Sequence, residues 1–556
     1  GQVRVASTGA PPTRPVTLRA LNTPVTATVG SDGAYRLRLP TGAYTLEARG
    51  NGYRIVTAPV TVTLEGSVRD FSLQPAPTLL VVDQGALYYT SKIGYWTAAL
   101  EALDYAYDLW PITRLPLPEE LLTPYALTLW SAPLGSPGLV DAGEMITKYL
   151  QDGGRLLLSG QDVAYFDSGA GMSVSPQPYL RELLGVRYVA DDTASRTVRG
   201  VGPFAGFAAA IAGGDGANNQ LSPDVVARED PELAEVFWEY GDGSAAGLGA
   251  HLCTEYRGLF WAFGYEGLAT AEARSESLDR ALTWLAAPQP SQGLRFTAVD
   301  GSDIGSPLLI GMPGAVLTHT LRLRHIGVAG AADTVTLTLS PSSWETTVTP
   351  AQVRLEPCTA ITVSVRVTLP VAAEVDAADE VTLTAHSALG AAPLPLSLRT
   401  KVAAPVLLVD DDRWFPMEHF YTSALQEAGI PYDVWDTAAY ISGPPEAHSV
   451  TAEILARYPV VVWFTGYDWY APVTELEEER LLRYLDQGGR LLLSSQDFLG
   501  YAGQRPLGQR LGVDFPNVDF GAKQAAGVAA HPAAGRWGPA PLTYPFPDWS
   551  DAPEPA

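Results

Sequence analysis

Cysteine, lysine, asparagine and long apolar runs are all scarce in this 556-residue chain, and each scarcity excludes something. Two cysteines, Cys253 and Cys358, cannot supply a disulfide framework or a cysteine-based zinc site. They fall in different predicted domains, so two separate buried thiols are expected, with a single Cys253–Cys358 bridge as the alternative. No stretch approaches the ~20 apolar residues of a membrane helix. The nearest, residues 204–211, is short, rich in alanine and followed by glycines. Positive charge is in deficit, since 36 Lys plus Arg against 61 Asp plus Glu leave a net charge of −25. That disfavours nucleic acid, which needs a cationic footprint, and anionic lipid as well. Lysine occurs only at Lys92, Lys148, Lys401 and Lys523, and asparagine only at Asn22, Asn51, Asn218, Asn219 and Asn517. Depletion of Asn, Cys and Met alongside 45 prolines fits a warm habitat. A GC-rich genome gives the same bias, and the rarity of lysine favours that explanation.

What is present is ample for folding. With 46% hydrophobic and 17% charged residues, disorder is not expected, and at roughly 150 residues per domain the length implies three to four domains. Residues 1–76 alternate apolar and polar positions between Gly-rich turns, the pattern of antiparallel hairpins. The string SDGAYRLRLPTGAYTLEARGNGY resembles the carboxypeptidase regulatory-like (transthyretin-like) β-sandwich, in which family the module is a non-catalytic appendage of secreted and surface proteins. Residues 289–404 form a second all-β unit with clean alternation at 316–323, 335–339 and 362–367. This stretch resembles the immunoglobulin-like spacers of bacterial secreted enzymes. His319 and His325 within it read as isolated surface or strand histidines rather than ligands.

The strongest signal is an internal repeat. YLQDGGRLLLSGQD at 149–162 returns as YLDQGGRLLLSSQD at 484–497. LVVD at 80–83 pairs with LLVD at 407–410, YWTAALEALDYAYDLW from Tyr95 with FYTSALQEAGIPYDVW from Phe420, 125–130 with 458–463, and LGV at 184–186 with 511–513. Each copy, 77–288 and 405–556, reads strand, helix, strand, strand, helix, strand. Strands alternating with helices imply a parallel sheet with helices on both faces. The expected fold class is therefore multidomain α/β plus all-β, with two flavodoxin-like parallel-sheet domains alternating with two β-sandwich domains. The second copy stops about 60 residues short of the first one's equivalent. That fits a cut polypeptide, or a strand supplied by a neighbouring subunit through augmentation, which would make a polymer. Gly1 in place of an initiator Met fits a secreted protein whose leader has been removed, or a fragment.

The order helix, GG, RLLLS, QD resembles class I glutamine amidotransferase-like and ThuA-like domains, where a residue after this strand serves as nucleophile. Ser159 and Ser494 are the matching positions. The family's chemistry needs a cysteine there and a His-Glu pair after a late strand. GYE at 264–266 carries no histidine, and His251 lies upstream of that motif, so the resemblance implies the fold without the activity. Other hydrolase, phosphate-loop and zinc-protease signatures are absent from the sequence.

Several residual sites remain. Asp410, Asp411 and Asp412 at a strand end could hold Mg²⁺ or Ca²⁺, or form a turn and helix cap. Gln161, Asp162, Gln496 and Asp497 could bind a ligand at the sheet edge or tie their turn. Trp414, Trp463 and Trp469, with Phe415, Phe464, Tyr467 and Tyr470, could form a glycan or peptide platform or pack in a core. Residues 475–480 read as a solvated helix start. The whole string of modules resembles the C-terminal accessory region of bacterial secreted subtilisin-like peptidases. The expectation is a non-enzymatic extracellular or cell-surface protein without membrane span, partnering other extracellular proteins, like subunits or glycan. A serine-dependent hydrolase or a carbohydrate- or peptide-binding module is the alternative.

Overall fold

The computed structural model describes residues 1–556 apart from 172–173, 306, 329, 414, 438–447, 469–470, 521–523, 528–534, 536, 543–549 and 556. For 502, 514–520 and 550–555 only the backbone is described. The molecule is multidomain, α/β plus all-β. No helix among the described residues is long and apolar enough to cross a membrane.

Residues 1–76 place four antiparallel strands in the order Thr26–Thr28, Thr17–Ala20, Gly42–Arg49, Val56–Val62, beside a parallel pair of Val3–Val5 and Phe71–Leu73. Val3, Leu18, Leu46, Ala48 and Leu73 form their common core. The alternating run at 34–39, expected as a hairpin strand, joins no ladder. It is held by the Asp32 turn (Ala34 N–H to Oδ1, 2.9 Å) and by Gly1.

The first α/β unit is one eleven-stranded sheet. Its half before residue 160 follows the sequence reading: β1 (Leu79–Asp83), α1 (Ile93–Ala102), β2 (Asp108–Pro111), β3 (Leu127–Ser131), α2 (Gly143–Gln151) and β4 (Arg155–Ser159). Next come β5 (Val186–Ala190), β6 (Thr197–Gly200), β7 (Ala208–Ala210) and β8 (Val225–Arg228). The unit closes with β9 (Ala234–Tyr240), β10 (Ala245–Ala250), β11 (Arg257–Trp261) and α3 (Ala271–Ala286). The spatial order is β7-β6-β9-β10-β11-β4-β3-β1-β2, with β2, β1, β3, β4 and β11 parallel. Strands β1, β3 and β11 are buried at every position, as a sheet covered on both faces requires. One face packs on α2 through Ile146 and Leu150, the other on α1 and α3 through Trp96, Leu100, Leu278 and Leu282.

Residues 294–402 are a β-sandwich whose four- and five-stranded sheets share a core of Leu321, Leu323, Val335, Leu337, Val363, Val365, Leu383 and Leu398. His319 and His325 sit in one strand, and both are buried rather than at the surface. His319 Nε2 lies 3.0 Å from Thr400 Oγ1, and burial pushes its pKa down to about 4.

The second α/β unit repeats the opening order with β12 (Val406–Asp410), α4 (Glu418–Glu427), β13 (Tyr432–Asp436), β14 (Val460–Phe464), α5 (Glu475–Asp486) and β15 (Arg490–Ser494). The sheet runs β13-β12-β14-β15, all parallel, matching β2-β1-β3-β4. The start of α5 is not the solvated segment its charges suggest. Glu477 and Glu478 are buried, Glu477 closing a capping box with Thr474 and Glu478 pairing with Arg505 and accepting from Leu507 N–H.

The cysteines also depart from expectation, because Cys253 and Cys358 form a disulfide, Cα to Cα 5.5 Å. Position in different modules predicts two separate buried thiols, but the modules meet. An interface brings those modules together: Glu232 reaches both Arg322 and Arg324 at 2.6 Å, and Arg228 meets Asp303 at 2.8 Å. Proximity across modules is set by tertiary contacts, and 5.5 Å falls in the range a disulfide needs.

Candidate functional site

In open parallel sheets ligands bind at the carboxyl ends of the strands, so the row Asp83, Ser131, Ser159, Trp261 across β1, β3, β4 and β11 is where a site belongs. The chain itself fills that crevice. Ser159 is fully buried; its hydroxyl donates to the Phe263 carbonyl and accepts from Tyr265 N–H, each at 2.8 Å. Both hydrogen-bonding capacities are spent on backbone, which is positioning chemistry rather than nucleophilic chemistry. His251 cannot act as its base. Ala250 pairs with Gly258, and Gly258 with Leu156, so His251 lies at the opposite end of β4, on the order of 10 Å away at strand rise. There its Nε2 meets Glu235 Oε2 at 2.8 Å.

Gln161 is committed just as fully. Its amide donates to the Asn219 and Pro133 carbonyls (2.9 and 3.3 Å), and its carbonyl oxygen accepts from Leu221 and Ser222 N–H (2.7 and 3.3 Å). Asp162 accepts from Ser222 Oγ at 2.9 Å, and burial raises its pKa. The pair therefore fastens the 219–222 loop over the strand ends.

Sequence reasoning missed a set of buried carboxyl groups around the same edge. Glu266 is wholly buried, with Asn219 Nδ2 at 2.7 Å from Oε1, and burial raises its pKa. Asp224, also wholly buried, accepts from Tyr165 N–H at 3.0 Å and is pushed up to about 9. Asp167 bonds to the buried Tyr179 hydroxyl and is pushed up to about 6. Asp167 and Asp224 carried no sequence signal, and Glu266 drew notice only as the end of the GYE stretch that lacks a histidine.

In the second unit Ser494 sits at the Ser159 position, where its Oγ meets the hydroxyl of Tyr421 at 2.7 Å; that ring stacks on Phe464 with centroids 4.1 Å apart. The three aspartates diverge. Asp411 is buried and accepts from Trp463 Nε1 (3.0 Å) and Thr437 Oγ1 (2.9 Å). Asp412 accepts from Met417 N–H at 2.9 Å, ahead of α4. Burial and the adjacent Asp412 push Asp410 up to about 7. Among the described residues no group of three or more His, Cys, Asp or Glu is arranged to hold a metal ion. Gln496 and Asp497 precede the short helix Phe498–Ala502 as Gln161 and Asp162 precede Val163–Asp167. Trp463 is fully buried, so it belongs to the core rather than to a surface platform. Trp414 and Trp469 lie outside the described residues.

No protein-family model matches the chain, and no curated protein matches it either. Among solved structures, the PapD-like domain 7 of human CEP192 aligns at 15% identity over 21% of this chain and 89% of that one, TM-score 0.16. A family 123 glycoside hydrolase from Clostridium perfringens aligns at 8% over 31% of this chain and 38% of that one, TM-score 0.17. The CooA pilin subunit from enterotoxigenic Escherichia coli aligns at 9% over 20% of this chain and 96% of that one, TM-score 0.16. At TM-scores this low the likeness carries no argument about activity or partners.

Proposed function

We propose that this chain is a non-catalytic scaffold of an extracellular or cell-surface setting, an array of four modules at 1–76, 77–288, 289–404 and 405–556. The two α/β modules are read as flavodoxin-like, amidotransferase-like domains that keep the fold without the chemistry, a reading their shared parallel strand order supports.

One observation supports the proposal: each junction between modules carries direct bonds between described residues on its two sides. Asn51 bonds both the N–H and the C=O of Leu79 (2.8 and 3.0 Å), and Arg54 lies 3.5 Å over the Tyr105 ring while donating to the Leu103 carbonyl. The second junction has the Cys253–Cys358 bridge and the Glu232 and Asp303 ion pairs. At the third, Lys401 pairs with Asp433, whose other oxygen accepts from Ala404 N–H and the Tyr458 hydroxyl. Modules free to move do not need such junctions, and inter-domain mobility is the default without them. The disulfide supports an oxidising compartment.

Small-angle scattering tests this. A single rigid envelope, lost when Glu232→Ala is combined with Cys358→Ser, is the expected result, and a freely jointed profile for the unaltered chain counts against it. A fluorophosphonate probe that labels Ser159 or Ser494 would establish the hydrolase alternative instead.

A further inference from the structure

The internal repeat extends further in the fold than in the sequence. In the first unit β5 pairs antiparallel with β8, and β6 with β7. In the second, β16 (Val513–Phe520) pairs antiparallel with β19 (Ser550–Pro555), and β17 (Gln524–Ala525) with β18 (Ala540–Pro541), in the same order and nesting. The difference lies between them. In the first unit β9, β10 and β11 join everything into one sheet, through β6 to β9, β8 to β10 and β11 to β4. In the second, the described residues form three separate sheets.

Three places in the first unit meet the β11–α3 segment, and their counterparts in the second are less covered. Leu157 on β4 is fully buried beside β11, whereas Leu492 on β15 is 55% exposed. The Arg155 guanidinium caps the end of α3, donating to the carbonyls of Leu285 (2.7 Å) and Ala287 (2.9 Å). Arg490 is exposed and makes no side-chain hydrogen bond or ion pair among the described residues. Helix α1 buries Trp96, Ala99 and Leu100, and its core includes Leu278, Ala281, Leu282 and Leu285 of α3. Helix α4 has no fully buried residue: Tyr421 and Leu425, the counterparts of Trp96 and Leu100, are half-buried, Ala424, the counterpart of Ala99, is exposed, and the neighbouring Phe420 is 62% exposed.

We propose that the β15 edge and the bare face of α4 are a docking surface for a strand-strand-strand-helix unit patterned like residues 234–286. Its third strand enters parallel to β15, apolar on both faces as Arg257–Trp261 is. Its helix lays a Leu/Ala stripe on α4, and the negative end of that helix meets Arg490, as α3 meets Arg155. Inserted there, the three strands would join the separate sheets as β9–β11 do. The inference stands on the repeat and does not require the scaffold reading.

Amide exchange tests it. Arg490 N–H donates to the Pro459 carbonyl, so along a parallel strand the amides of Leu491 and Leu493 face the open edge, whereas their counterparts Leu156 and Leu158 face β11. In the full chain, Leu491 and Leu493 are expected to exchange at least roughly tenfold faster than Leu156 and Leu158. Appending a second copy of residues 229–288 after Ala556 is expected to slow them roughly 10- to 100-fold. Leu492→Asp in that fused chain should remove the gain and leave Leu156 and Leu158 unchanged. The proposal is overturned if Leu491 and Leu493 are already slow in the unfused chain, or slow with rising concentration, which assigns the edge to a second copy. It is equally overturned if the appended segment stays unprotected, or folds without slowing them.

Discussion

Trp463 Nε1 donates to Asp411 at 3.0 Å in the second α/β unit, and Trp130 Nε1 donates to Gln84 at 2.7 Å in the first. The donor and its place on the third strand are the same in both copies; the acceptor, one residue past the first strand's Asp, is an amide in one and a carboxyl in the other. Gln84 also donates to the Ser136 carbonyl at 2.7 Å, whereas Asp411 accepts from Thr437. Removing the donor should therefore cost more in the second unit. Trp463→Phe leaves a buried carboxyl short of a partner, and a loss of about 1–3 kcal/mol is expected, with Trp130→Phe toward the lower end. Local stability from native-state hydrogen exchange at β12 and β1 checks the pair.

A second matched pair predicts closely similar effects, although the Tyr484 hydroxyl also accepts from Arg490 N–H at 3.1 Å. Tyr149 bonds the Tyr125 and Arg155 carbonyls (3.2 and 3.1 Å), and Tyr484 bonds those of Tyr458 and Arg490 (3.0 and 3.2 Å). Each hydroxyl ties the starts of two neighbouring strands to the helix that connects them. Tyr149→Phe and Tyr484→Phe should each cost about 1 kcal/mol. A difference well beyond that between the copies, read by the same exchange experiment, would show that the stitch is not equivalent.

These pairs also mark how far the sequence could be read. The strand and helix order of both copies was legible because apolar runs such as Leu79–Asp83 and Val406–Asp410 are local signals, and the repeated RLLLS string reinforced them. The roles of Ser159 and Gln161 were not. Ser159 is consumed by residues just over 100 positions later and Gln161 by a loop about 60 positions later, and no local pattern encodes such partners. The same holds for Cys253 and Cys358, whose bridge depends on an interface, and for Glu477 and Glu478, whose charges suggested water but whose neighbours Thr474 and Arg505 bury them.

The disulfide spans 105 residues of chain and crosses from the first α/β unit into the β-sandwich. A cross-link closing a loop of that size typically stabilises by about 2–4 kcal/mol, chiefly by restricting the unfolded chain. Cys358→Ser should lower the unfolding free energy of the sandwich by that order in denaturant titration, with little effect on residues 1–76. Thiol titration of the denatured, unreduced chain should find no free thiol.

Asp224 should make the first α/β unit less stable as the solution becomes more alkaline. Burial raises its folded-state pKa to about 9, and an unfolded aspartate titrates near 4. A carboxyl with a raised folded-state pKa binds a proton in the folded state that the unfolded chain has already released. Its contribution to stability is thus fully present below about pH 4 and is lost as pH rises toward about 9, with a slope of at most about 1.4 kcal/mol per pH unit. Asp162, raised by the same cause, adds to the trend at the acid end. Asp224→Asn removes the larger contribution while keeping a side-chain oxygen for the Tyr165 N–H. Urea unfolding at pH 5, 6.5 and 8, followed by exchange protection in β8 and β10, should show the slope flattened in the variant. A variant that loses stability with pH as steeply as the unaltered chain would place the titrating group elsewhere.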